Sequence, residues 1–157
     1  MPVVRISAKA LICRDRRLLV IENHNPELFY TLPGGGQESG ETLPDTLRRE
    51  CREELQMEIE VHDLIFARDY IAAHHEFAHL HPDFHQVELI FDCSPIPGAR
   101  PAPGLRADEH QTGFRWLPAS EIEEAPLYPR DMRAALAEYC AESERPFAKA
   151  IYLGDIN

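Results

Sequence analysis

Three glutamates stand close together in one short segment, at Glu50, Glu53 and Glu54. On a helix, residues three and four positions apart lie on one flank, so these carboxylates would be neighbours. Neighbouring carboxylates repel one another and raise each other's proton affinity unless a cation lies among them. Because hard divalent ions prefer oxygen ligands, the spacing predicts a site for Mg²⁺ or Mn²⁺.

An acidic surface relieved by the interspersed Arg48, Arg49 and Arg52 is the alternative interpretation of this segment. A helical projection at about 100° per residue places Glu54 inside the apolar sector and Glu50 at its edge. The two carboxylates should therefore be partly buried, which favours the cation site. The apolar sector consists of Leu43, Leu47, Cys51 and Leu55.

Two short segments precede this helix, Pro-Gly-Gly-Gly at residues 33–36 and Ser-Gly at residues 39–40. Such turn signals are not expected inside a strand or helix, so they predict a backbone loop. Thr42 is expected to cap the helix with Asp45 in a capping box, and Pro44 is tolerated in the first turn. The helix is predicted to continue to about Leu55.

The loop and helix together resemble the signature of the Nudix hydrolases. Gly35 is followed after five residues by Glu41, and after seven more by residues 49–54, with the sequence Arg-Glu-Cys-Arg-Glu-Glu. The resemblance implies that the three glutamates bind divalent ions, that the Gly35 carbonyl adds a ligand, and that Glu41 and Arg49 brace loop and helix as an ion pair. Two positions depart from the family pattern, Cys51 for an aliphatic residue and Gln56 for a glycine.

The activity implied by this resemblance is Mg²⁺-dependent hydrolysis of a phosphoanhydride bond. Water, activated by the cations, would attack one phosphorus in line, and a carboxylate would accept its proton. Glu53 and Glu109 are the two candidates for this base. Glu109 precedes a predicted strand, in a loop that could close over the site or be a solvated surface loop. The substrate would be a nucleoside diphosphate joined to another group, such as ADP-ribose, a nucleotide sugar or a nucleoside triphosphate.

Four residues on or beside predicted strands are candidates for substrate or metal contacts. Arg5, Lys9 and Arg68 are cations that would bind phosphate if they face the site, or would form internal salt bridges instead. Glu88 would add a metal ligand if its strand passes the site. Its alternation with Val87 and Leu89 places it on the opposite face from them.

Five histidines crowd one segment, at His74, His75, His79, His81 and His85. Imidazole is a common zinc ligand, but no cysteine or regular spacing supports zinc here. The alternatives are a substrate-contacting loop with Phe77 or Phe84, and an ordinary polar surface loop.

The remaining pattern predicts an α/β fold, an α/β/α sandwich around a mixed sheet, in a single domain over residues 1–157. A proline-rich segment at 93–113 should be a lid or a connector. A second helix is predicted at 130–141. The predicted strands are residues 6–13, 18–22, 58–61, 64–72, 86–93 and 113–117.

Composition limits the classes of partner. Hydrophobic residues make up 44% and charged residues 27% of the chain, as in a soluble globular protein. The formal charge of -11 disfavours a nucleic-acid polymer or an anionic membrane surface. The four scattered cysteines and the lack of an apolar leader favour a cytoplasmic protein with free thiols. A homodimer is possible. A nucleotide-binding module without catalysis and a hydrolase of RNA 5′ ends are the competing functions.

Overall fold

The computed structural model describes residues 3–106, 108–142 and 149–157. Two α-helices and two β-sheets form its framework. The helices are α1 (Leu43–Leu55) and α2 (Arg133–Ala141). The strands are β1 (Val4–Leu11), β2 (Cys13–Arg14), β3 (Arg17–His24), β4 (Leu28–Thr31), β5 (Gly34–Gly36), β6 (Ile59–Ile71), β7 (His85–Pro95), β8 (Gln111–Pro118) and β9 (Ile151–Asp155).

The larger sheet has five strands in the order β5-β1-β7-β6-β9. Its pairs β1/β7 and β6/β9 are parallel, whereas β1/β5 and β6/β7 are antiparallel. The second sheet contains β2, β3 and β4 in that order, and β8 pairs with β3. The mixed arrangement that the sequence predicts is therefore confirmed.

The two helices pack on separate apolar clusters, which gives the sandwich its layers. Leu47, Cys51 and Leu55 of α1 are fully buried with alternate residues of β1 and β3. Leu136 and Tyr139 of α2 are buried in the other cluster. Because successive strand residues point to opposite faces, one strand can supply both clusters. The members of the α1 cluster from these strands and their connection are Ala8, Ala10, Ile12, Leu19 and Ile21.

Several elements differ from the sequence prediction. The glycines at 34–36 form the short strand β5 along β1, because glycine allows their close approach. A Cβ at Gly34 would lie 2.9 Å from the Cα of Lys9. Residues 58–61 and 64–72 belong largely to one strand, β6, whose irregular register explains the apparent break. β4 and β9 were not predicted. The second helical segment begins as a 3₁₀ turn over Arg130–Met132.

The cysteines also differ from the expectation of four free thiols. Cys13 and Cys140 form a disulfide with a Cα–Cα distance of 5.5 Å, while Cys51 and Cys93 are free and buried. Burial raises the pKa of the Cys93 thiol to about 12. The pairing joins residues 127 positions apart, which sequence spacing alone cannot reveal. Within the residues described, no helix is both long and apolar enough to cross a membrane.

Candidate active site

Helix α1 begins at a capping box, as the sequence predicts. The Asp45 amide donates to the Thr42 hydroxyl at 3.2 Å, and the Thr42 amide donates to the Asp45 carboxylate at 3.1 Å. These bonds satisfy backbone donors that a helix start otherwise leaves unpaired. The cap fixes where α1 begins and therefore which residues face the glycine strand.

Glu54 is the most deeply buried of the three clustered glutamates, with a relative exposure of 7%. Its carboxylate accepts from the Gly34 amide at 2.9 Å and from the Gln111 side chain at 2.8 Å. Burial raises its pKa to about 7, although Lys9 and the Gly34 amide act in the opposite direction. A buried carboxylate without a strong cationic partner is costly, so this position favours the charge of an added cation.

Glu50 lies against the glycine strand and is also partly buried. A Cβ added to Gly35 would lie 2.6 Å from the carboxyl carbon of Glu50, so a larger residue would displace this carboxylate from its position. Burial raises the pKa of Glu50, while its hydrogen bond from Arg49 lowers it. Glycine at position 35 therefore allows the Glu50 carboxylate to lie directly against the glycine strand.

Arg49 connects the glycine strand to the helix. Its guanidinium donates to both Glu41 oxygens, at 2.5 and 3.1 Å, and to the Gly36 carbonyl at 3.0 Å. The same group donates to Glu50 at 3.0 Å and to Glu53 at 3.4 Å. The hydrogen bond from Arg49 holds the pKa of Glu41 at about 2. The ion pair between Glu41 and Arg49 that the resemblance implies is therefore present.

Glu53 is more exposed than the other two and borders a cavity of about 250 Å³. Arg49, Arg52, Leu105 and Arg106 complete the lining. The lining thus combines three guanidinium groups with one carboxylate, and two of these groups are paired with other carboxylates, Arg49 with Glu41 and Arg52 with Glu58. Arg106 was not recognised from the sequence, because its segment carries no motif.

The proline-rich segment closes the C-terminal end of α1. The Ala102 backbone amide donates to the Leu55 carbonyl at 2.7 Å, and the Arg106 backbone amide donates to the Glu53 carbonyl at 3.3 Å. These bonds satisfy carbonyls that the end of a helix leaves free. Of the two predicted uses of this segment, the contacts support a connector that caps α1.

Gln56 ends α1 in the left-handed conformation, with φ of 50° and ψ of 36°. Glycine would adopt this conformation without strain, and a side chain there costs on the order of 1 kcal/mol. The side chain compensates in part by donating to the Pro103 carbonyl at 2.6 Å. The departure from the family pattern thus preserves the turn and adds a contact to the capping segment.

The glutamate side chains of α1 supply only oxygen donors, which is the chemistry that fits a hard divalent cation. The Glu50 carboxylate occupies the space that a Cβ at Gly35 would fill. Among residues 3–106, 108–142 and 149–157, no three acidic, histidine or cysteine side chains are already arranged around one metal position. Arg49 instead bridges Glu50 and Glu53.

Glu109 is exposed, in the turn just before β8. Two residues later, Gln111 contacts the Glu54 carboxylate. The start of β8 therefore lies at the glutamate cluster. Sequence reasoning missed Gln111, whose only signal is its position as a polar residue at the start of a strand.

Arg5 and Lys9 both lie beside the glycine strand. The Lys9 ammonium donates to the Gly34 carbonyl at 3.2 Å and to the Leu32 carbonyl at 3.5 Å. A Cβ added to Gly36 would lie 2.7 Å from the Nε of Arg5. The structure thus brings both cations close to the loop, and their role in phosphate binding stays a prediction.

Arg68 and Glu88 form a buried ion pair with each other, at 3.1 Å and with side-chain exposures of 8% and 5%. This is the internal salt bridge that the sequence offered as the alternative to phosphate binding. Ser7 is the register partner of Glu88 on β1 and is also buried. Within the described residues its hydroxyl has no hydrogen-bond partner.

Three of the clustered histidines bond to aspartates. His74 and His75 each donate to Asp155 at 2.7 Å, and His85 donates to Asp69 at 2.9 Å. In the part of the chain that the structure describes, no zinc-type ligand group is found. Of the two aromatic candidates in this segment, Phe77 packs edge-on against Tyr128 and Phe84 packs against Tyr70.

Comparison with known proteins places this geometry in a family. The model of the NUDIX domain matches residues 3–139. No curated protein sequence matches the chain.

Solved structures share the fold at low sequence identity. A NUDIX hydrolase from Nitrosomonas europaea is 18% identical with a TM-score of 0.70, covering 97% of this chain and 80% of that one. An ADP-ribose pyrophosphatase from Streptococcus suis is 13% identical with a TM-score of 0.64, covering 96% and 99%. A UDP-X diphosphatase is 14% identical with a TM-score of 0.68, covering 99% and 68%. Together with the glycine strand and the glutamate helix, the domain match shows that this chain belongs to the NUDIX family of hydrolases, which act on acid anhydrides.

Proposed function

We propose that the protein hydrolyses a phosphoanhydride bond in a small nucleoside diphosphate conjugate, with Mg²⁺ or Mn²⁺ as cofactor. The observation that carries this proposal is the buried carboxylate of Glu54 beside Glu50, both with raised pKa. Such a pair is stabilised when a divalent cation replaces protons. A cation held there would also attract the negative oxygens of a diphosphate.

Glu50, Glu53, Glu54 and the Gly35 carbonyl are the groups that would hold the metal. When bound, a divalent ion neutralises phosphoryl oxygens and lowers the pKa of a coordinated water. Arg49 positions two of the glutamates and the glycine strand, and this is the role that we assign to it within the catalytic set. Lys9 and Arg5 add positive charge on the substrate side of the loop.

The reaction is an attack of water on one phosphorus, with formation of a new P–O bond and cleavage of the bridging P–O bond. A carboxylate takes the proton of the attacking water. Glu53 suits this role because it borders the cavity of about 250 Å³ and is accessible. Glu109 is the second candidate, since its turn leads directly to Gln111 and Glu54.

A small substrate is favoured over a polymer by the charge of -11. The structural neighbours include an ADP-ribose pyrophosphatase and a UDP-X diphosphatase. Both names describe a nucleoside diphosphate joined to another group, which is the substrate class that we propose here. The same charge argues against the hydrolysis of RNA 5′ ends.

The test is a panel of ADP-ribose, nucleotide sugars and nucleoside triphosphates with Mg²⁺, with products separated by chromatography. We expect turnover of at least one diphosphate conjugate, abolished by chelation and restored by added metal. Glu53→Gln should lower kcat by about 100-fold or more if Glu53 is the base. Glu60→Gln, at an exposed position on β6, is the matched control and should keep full activity.

A non-catalytic binding module gives a different result in the same panel. It would take up nucleotides without turnover, whether or not metal is present. Full activity of Glu53→Gln would exclude Glu53 both as the base and as a metal ligand, and the base would then be Glu109, so that Glu109→Gln should show the loss. If neither variant lost activity, the proposed mechanism would be wrong.

A further inference from the structure

None of the three glutamates of α1 is among the described residues that line a second cavity, of about 480 Å³. We call it the arginine cavity. Its volume falls within the range of roughly 300–1,000 Å³ that is typical of small-molecule sites. Its lining residues are Arg14, Asp15, Arg17, Arg100, Pro101, Phe114 and Trp116.

The charge of the arginine cavity opposes that of the whole chain. Three arginines and one aspartate line it, although the chain carries a formal charge of -11. Asp15 is the one acid among the described lining residues, it lies 3.8 Å from Arg14, and both side chains are largely exposed. In the described part of the chain, Arg17 and Arg100 take part in no ion pair. Their positive charge is therefore available to a ligand.

Arg14 and Arg17 are direct register partners across the β2/β3 hairpin. Like charges placed opposite one another on neighbouring strands repel and destabilise the pair. Arg100 comes to the same cavity from the connector that follows β7. An anion bound among the three guanidiniums would relieve this repulsion through charge-assisted hydrogen bonds, for which the planar guanidinium is well suited.

Two aromatic rings form the other wall. Phe114 and Trp116 lie on one face of β8, opposite the fully buried Ile21 and Leu19 of β3. Both rings are half-buried against the α1 cluster, so their inner edges are fixed while part of each borders the cavity. Aromatic side chains beside arginines bind nucleobases by stacking, and every base offers a suitable face.

We propose that the arginine cavity is a second, non-catalytic site that binds a nucleoside monophosphate. The phosphate lies among Arg14, Arg17 and Arg100, and the base packs on Trp116. This site is separate from the glutamate cluster. Gln111 contacts Glu54 at the start of β8, whereas Phe114 and Trp116 lie three and five residues further along the strand, about 10 and 16 Å away. The proposal does not depend on the identity of the hydrolysed substrate.

Trp116 is the only tryptophan of the chain, so its fluorescence reports on this cavity directly. The experiment titrates the full chain with AMP in the presence of EDTA, with excitation selective for tryptophan. A parallel titration of free tryptophan amide corrects for light that AMP itself absorbs. We expect a saturable change in fluorescence with AMP. Adenosine and inorganic phosphate, which each supply half of the contacts, should bind at least tenfold more weakly.

Charge reversal locates the site. Arg100→Glu should weaken AMP binding at least tenfold while Trp116 remains as the reporter. Arg16→Glu is the matched control. Arg16 lies in the hairpin turn between Arg14 and Arg17, but it borders a different cavity. This variant should bind AMP as the unmodified chain does.

Other outcomes overturn the proposal. They are the absence of saturable change at millimolar AMP, equal losses in the two variants, or inorganic phosphate binding as tightly as AMP. The last result would identify a simple anion site. Circular dichroism of each variant checks that it is folded.

Discussion

Two regions of this molecule contain neighbouring carboxylates, and the pKa values of these carboxylates are shifted in opposite directions. On α1, burial raises the pKa of Glu54 to about 7 and also raises the pKa of Glu50. Between β6 and β9, burial would raise the pKa of Asp155, but hydrogen bonds from His75, the Ile71 amide and His74 outweigh it and lower the pKa to about 2. The pKa of Asp69 is lowered as well, by hydrogen bonds from Tyr152 and His85.

The difference lies in the partners that the chain itself supplies. The aspartates near β9 receive hydrogen bonds from imidazoles and a phenol, so their charge is stabilised within the fold. Glu54 accepts one hydrogen bond from the Gly34 backbone amide and one from the Gln111 side-chain amide. The Lys9 ammonium donates its hydrogen bonds to backbone carbonyls. Of these two regions, the one at α1 is therefore where an added cation would stabilise the carboxylates, whereas the aspartates near β9 are already stabilised by hydrogen bonds within the fold.

The largest expected effect on activity comes from removing the charge of Glu54. Glu54→Gln keeps the size of the side chain but removes a proposed metal ligand, so we expect kcat/KM to fall by about 100-fold or more. Metal-free thermal stability should stay the same or rise, because a buried charge is lost. Asp155→Asn should show the reverse, with activity retained and stability reduced. Equal activity losses in both variants would contradict the assignment of the two regions.

Added Mg²⁺ should raise the melting temperature of the protein. A ligand that binds only the folded state stabilises it by about 2.7 kcal/mol at 100 times its Kd. We expect Asp155→Asn to keep this increase and Glu54→Gln to lose most of it, measured by calorimetry with and without EDTA. An increase that survives in Glu54→Gln would mean that the ion binds elsewhere.

The two regions should also give opposite dependence of stability on pH. In EDTA, the folded-state pKa of Glu54 lies above its ordinary value of 4.5, so its contribution is complete below pH 4.5 and is lost as pH rises through about 7. The pKa of Asp155 lies below its ordinary value of 3.8, so its contribution is present above pH 3.8 and is lost as pH falls through about 2. Denaturant unfolding across pH 2–8 measures both slopes.

The variants Glu54→Gln and Asp155→Asn test which carboxylate is responsible for each of the two pH-dependent changes in stability. Glu54→Gln should remove the loss of stability between pH 4.5 and 7, which is on the order of 3 kcal/mol at most. Asp155→Asn should flatten only the acid limb. If Glu54→Gln left the neutral limb unchanged, another group would be responsible for it.

Local patterns in the sequence were sufficient for the α1 region and insufficient for the histidine region. The capping box, the glutamate spacing and the pair of Glu41 with Arg49 are contained in fourteen consecutive residues, so helical periodicity and the family signature predict their geometry. The partners of the histidines come from β6 and β9, up to 81 positions away. No local pattern encodes that separation.

The same reason explains the other misses. Strand β5 follows from the pairing of glycines with β1, and the contact of Gln111 with Glu54 joins residues 57 positions apart. The disulfide between Cys13 and Cys140 is equally non-local. Each depends on tertiary pairing, which a single sequence does not specify.

The smallest expected effect concerns the end of α1, where Gln56 occupies a left-handed turn. Gln56→Gly relieves strain of on the order of 1 kcal/mol but increases the entropy of the unfolded chain and removes the bond to the Pro103 carbonyl. These contributions nearly cancel, so the free energy of unfolding should change by less than about 1 kcal/mol. Gln56→Ala keeps the strain and loses the bond, and it should be less stable than either. Because the glutamate side chains remain in place, activity and the Mg²⁺-induced stabilisation should not change. A large loss of activity in Gln56→Gly would show that the capping segment positions the glutamates as well as ending the helix.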